Sequence, residues 1–149
     1  MFEEYRAADD AVDAWRELAL RVRAALDLAG IPSHSADEFP RPAGAEIEVD
    51  HGNDGMAGVF VDWQPASALS SAVVESTMAN RVDDPSIQHF MAIATAMRDA
   101  MIVVLRASQF EVVPIDDYAL RPPAIHVLAG GVDECVGTGD LEGSRSACR

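Results

Sequence analysis

A chain of 149 residues is long enough to bury a core without a disulfide or structural metal, and short for two separate cores. Its 49% hydrophobic and 24% charged content is that of a globular protein, and no apolar run reaches the roughly 18 residues that a membrane helix needs. Twenty-five carboxylates face eleven cations, every one an arginine, for a formal net charge of −14; with no cluster of cations, direct binding to a nucleic-acid backbone is excluded.

The first element is an amphipathic helix over about Tyr5–Ala29. Val12, Trp15, Leu18, Ala19, Val22 and Leu26 follow one apolar stripe, and Asp9, Asp13, Arg16 and Arg23 lie opposite. Gly30 stands where a left-handed residue ends a helix, with Ile31 able to fold back and Pro32 preventing continuation. Pro32–Gly44 has no period and predicts a polar connection. In "AEIEVD", Ile47 and Val49 alternate with Glu46, Glu48 and Asp50, which predicts a strand with one wet face. "HGNDG" then turns the chain into a second strand, Met56–Gln64, making a β-hairpin.

Pro65 opens a short helix with Ala66, Leu69, Val73 and Met78 as its apolar stripe. Asp84 is placed to cap a longer one with Pro85 at its first position. That helix, Ser86–Ala107, is apolar on more than one side of its centre, as suits a central helix or one that also meets a second subunit. "FEVVPI" predicts a strand that Pro114 confines to an edge, and "AIHVLA" (Ala124–Ala129) a last one. The order α-β-β-α-α-β-β implies an α+β two-layer sandwich, a mainly antiparallel sheet with helices on one face. Residues 1–129 are expected to form one domain, and 130–149 a flexible, acidic, Gly-rich tail.

Few residues form a pattern that carries chemistry. Gly130-Gly131 follows a strand as a phosphate loop would, but "VDECVGTGDLEG" is a poor helix and brings acids that repel phosphate. His126 in the last strand, with Asp116 or Asp117 just before it, is a candidate acid–base pair; Ser108, Tyr118 and Thr138 are nearby hydroxyls without a mark of activation. Asp62, Trp63 and Gln64, ending the second strand, are candidate groove-lining residues. His34, His51, His89 and His126 fall in four different elements. "DHGNDG" has Gly52 at the third position of a calcium loop and Val61 at the twelfth, so no metal site is expected. Cys135 and Cys148 match neither a CxxC motif nor a zinc site, and no cofactor is expected.

"LALRVRAALDLAGIP", "GVFVDWQ" and "VVLRASQFEVVPIDDYALRPPAIHVL" together resemble a class of small actinobacterial or actinophage α+β proteins. The resemblance implies a helix ending in an A-G-I step, a hairpin with an aromatic strand and a long helix returning to a last strand. It brings over no catalytic residue.

An acidic N-terminus without the basic start of a signal peptide predicts a cytoplasmic protein. A Lys-free, Ala- and Val-rich, acidic composition reflects a GC-rich or salt-adapted genome more readily than a function. The functional expectation is a non-enzymatic protein-interaction or regulatory module whose acidic surface meets a protein partner, a basic one by charge complementarity, with homo-oligomerisation through the long helix as a further property. The alternatives are a small-molecule enzyme using Asp116, Asp117 and His126, a nucleic-acid mimic, or an assembly component.

Overall fold

The first helix begins later than its periodicity predicts. In a computed structural model, which describes residues 7–52, 57–116 and 123–131, α1 spans Asp9–Leu28 behind an extended Ala8 that offers no side-chain cap. Its buried residues, Val12, Leu18, Val22 and Leu26, are six, four and four residues apart, and all fall near one helix face. Its end follows from Gly30, at φ +81°. The Gly30 N–H donates to Asp27 O (3.0 Å) and the Ile31 N–H to Leu26 O (2.9 Å), the paired bonds of a Schellman stop. Ile31 then packs against the core.

Five strands follow in the spatial order β1-β2-β3-β5-β4: β1 (Ser33–Ser35), β2 (Gly44–Asp50), β3 (Gly58–Gln64), β4 (Phe110–Ile115) and β5 (Ala124–Gly130). All pair antiparallel except β1 and β2. β1 is an addition to the predicted order. It lies in the polar connection, has only three residues, and pairs parallel with β2. β4 takes the far edge, where Pro114 removes no inter-strand donor that the sheet needs.

Register assigns every strand residue to a face. Ala45, Ile47, Val59, Val61, Val112, Ile125 and Val127 point to the side covered by α1 and α3, and meet Leu18, Val22, Leu26, Met101, Ile102 and Leu105 there. The other side carries His34, Glu46, Asp62 and Ala124 in one row, and Glu48, Phe60, His126 and Val113 in the next. The described helices all lie on the first side, so the fold is an α+β two-layer sandwich.

The remaining helices are α2 (Ser67–Met78) and α3 (Pro85–Ala107). α2 packs chiefly on α3, and its only buried residue is Ser76; Met78, predicted to be in the stripe, is 84% exposed. The expected stripe is cut short, with Ala66 standing before the helix and Met78 at its exposed end, so α2 rests mainly on α3. The Asp84 carboxylate accepts from the Ser86 N–H (2.9 Å) with Pro85 at the first position, as predicted. Bonds from the Ser86 hydroxyl and N–H hold the Asp84 carboxyl below its ordinary range. A depressed folded value means its stabilisation is complete above the ordinary carboxylate pKa near 4 and is lost as pH falls through the lower folded value. Asp84→Ala should lower Tm at pH 7 by about 2–4 °C. The gap from wild type should narrow in acid, as thermal melts between pH 7 and pH 2 would show. None of the described helices is long and apolar enough to cross a membrane.

Candidate functional site

β1 is too short to cover β2. It pairs with Ala45–Ile47, and the last bond on that edge runs from the Ala36 N–H to Ile47 O (2.9 Å) before the chain turns away. On this edge the backbone groups of alternate residues point outward: Ala45 donates to Pro32 O (2.8 Å), and Ile47 accepts from Ala36. Val49 is next in that series. Beyond it, the Ala7 N–H closes on His51 O (3.0 Å). Among the described residues, the edge between Ile47 and His51 therefore has no neighbouring strand, a gap of about 13 Å at the usual rise per strand residue.

The gap opens into a groove of about 570 Å³ between the strand edge and α1. One wall is a single helical stripe, Arg16, Ala19, Leu20 and Arg23, spaced i, i+3, i+4, i+7. Ile47 and Val49 supply an apolar floor, and Leu20, 67% exposed, projects an uncovered side chain beside it. Ser35–Asp37 and Arg41 close one end, and His51 lies at the other. Among the described residues, three arginines, Arg16, Arg23 and Arg41, line this groove.

Behind the strand edge stands a buried polar cluster. His34 and Glu46, neighbours across β1 and β2, are 2% and 7% exposed, and His34 Nε2 lies 3.3 Å from Glu46 Oε2. Arg41 Nε approaches the same oxygen at 3.6 Å. The expected wet face of β2 is thus dry at Glu46, because His34 and Arg41 sit on it. Among the described residues, the buried His34 Nδ1 has no hydrogen-bond partner. A buried polar atom left so costs about 1–3 kcal/mol, so the Glu46 bond is what fixes the ring.

The residues singled out in the sequence go elsewhere. Asp116 is bound by Arg98 of α3, whose guanidinium also holds Asp99 (Nε–Oδ1 3.1 Å, Nη2–Oδ1 3.0 Å) and donates to Ile115 O (3.4 Å). Burial pulls the Arg98 guanidinium down, but the hydrogen bonds and charges of Asp116 and Asp99 outweigh it and hold it above its ordinary value. His126 lies on the opposite side of the sheet, its ring stacked on Phe60 with centroids 4.5 Å apart. The structure therefore places Asp116 on α3 and His126 on Phe60. Asp117, Tyr118, Thr138, Cys135 and Cys148 lie outside the described residues.

Asp62, Trp63 and Gln64 alternate between the two sides of β3. Trp63 packs against the core, Asp62 stands beside Glu46 on the other side, and Gln64 Nε2 donates to Ser70 Oγ (3.2 Å) at the start of α2. They do not line one groove. The residues that do were missed because each has an ordinary local reading: Arg16 and Arg23 as the solvent side of a helix, Ser35 and Arg41 as loop. The one local signal was the arginine pair flanking Ala19 and Leu20 on a single stripe.

Compared with known proteins, the chain matches no protein-family model, no curated protein and no solved structure.

Proposed function

We propose that this protein is a non-enzymatic interaction module that takes a short extended segment of a partner protein alongside β2. The observation that carries this reading is the edge at Val49, which no strand among the described residues covers, set in a groove with an apolar floor. Strand addition needs an edge that offers backbone N–H and C=O groups and a neighbouring wall for alternate side chains, and this groove has both. Affinity should be modest, because the gap between Ala36 and Ala7 admits only about three or four residues.

The test is a random-peptide display library panned against the immobilised chain, with the enriched peptides then titrated by NMR. Bound peptides should slow amide exchange at Val49. Leu20→Asp, on an exposed helix position, should weaken them by about tenfold while leaving Tm within a few degrees. A library that yields no enriched sequence, or binders that leave Val49 unprotected, would overturn the reading.

A further inference from the structure

We infer that the segment accepted at the β2 edge is acidic on the side that faces α1, against the sign that the net charge of the whole chain would select. The inference rests on the strand-addition reading above and adds the chemistry of the occupant.

A strand laid beside β2 presents alternate side chains to opposite sides of the sheet. Those on the helix side meet the α1 wall, where Arg16 and Arg23 flank Ala19 and Leu20. The two arginines are seven residues apart, about 10.5 Å along a helix axis. Side chains two residues apart on an added strand are about 6.6–6.8 Å apart, a mismatch that two long arginine stems absorb.

Neither guanidinium is strongly held by its own chain. Arg16 meets Asp13 at 3.3 Å and Arg23 meets Glu38 at 4.0 Å, with all four side chains between 40% and 73% exposed. Pairs this exposed contribute little and exchange partners readily. A carboxylate arriving in the groove gains charge-assisted bonds beside apolar surface, where they are shorter and stronger than in open water. Arg41 is different, since it lies on the other side of the strand against Glu46. The carboxylates lining the groove, Asp37, Glu46 and Glu48, belong to the loop end and to the outer side of β2, not to the helix wall.

Three acetylated, amidated hexapeptides test this: valine alternating with aspartate, with lysine, and with threonine. Each is titrated by NMR at millimolar concentration in low salt, reading the Val49 amide. The aspartate peptide is expected to bind tightest, and Arg16→Ala or Arg23→Ala should each weaken it by about fivefold without weakening the threonine peptide. Both positions are half exposed, and thermal melts confirm that each variant is folded. If the lysine or threonine peptide shifts Val49 as strongly as the aspartate one, or the arginine variants bind unchanged, the charge selection is overturned and strand addition stands. If no peptide moves the Val49 amide, both fall.

Discussion

Replacing Asp99 and Asp116 together with Asn is expected to destabilise the protein by about 3 kcal/mol, whereas Arg98→Met should cost less than about 1 kcal/mol. Both changes abolish the same ion pairs, so the contrast measures burial and not the pairs. The Arg98 side chain is 8% exposed, while Asp99 and Asp116 are 61% and 60% exposed. Without its carboxylates the guanidinium is a buried charge left with Ile115 O and weakened amide acceptors. Without the guanidinium, the carboxylates return to water at little cost, and a methionine keeps the packing of the stem. Urea unfolding of the two variants decides it, and equal losses would show that the pairing itself dominates. The result also bears on chemistry: a carboxylate bound to Arg98 is not oriented on His126, so Asp116→Asn should act on stability and leave peptide binding at Val49 unchanged.

Gly130→Ala is expected to cost about 3 kcal/mol, well beyond the usual effect of one added methyl. Gly130 has φ +104°, and a Cβ there would lie 2.4 Å from Gln109 O and 3.0 Å from Phe110 Cα. Both obstacles are backbone, so no rotamer change relieves them. The glycine pair at the end of β5 therefore has a packing reason: it lets β5 pass the start of β4. Inorganic phosphate should not raise Tm of the wild-type chain, as it would if these glycines formed a phosphate loop. A Gly130→Ala protein as stable as wild type would show that the crossing can relax.

The elements with local causes were legible in the chain. α1 follows from a stripe closed by Gly30, Ile31 and Pro32. The β2–β3 hairpin follows from alternation around a Gly-, Asn- and Asp-rich turn, α3 from the Asp84-Pro85 start, and the edge position of β4 from Pro114. Each of these is decided within a few residues by backbone geometry, periodicity or a missing donor, so no distant contact is needed to fix it.

What sequence left undecided depends on residues brought together from far apart. β1 is three polar residues that become a strand only because β2, twelve positions on, supplies its partner. His34 and Glu46 are dry only because that pairing puts them side by side, and Arg98 meets Asp116 across eighteen positions. The groove is further still from local reading. It exists because α1 crosses the sheet near the part of the β2 edge that β1 does not reach, so solvent-side arginines of a helix come to face that edge. Local physics determined which segments are helix and strand and which side of each is apolar. Only the tertiary structure decided how much of the β2 edge β1 covers and which charges stand beside the rest, because long-range pairing fixes both.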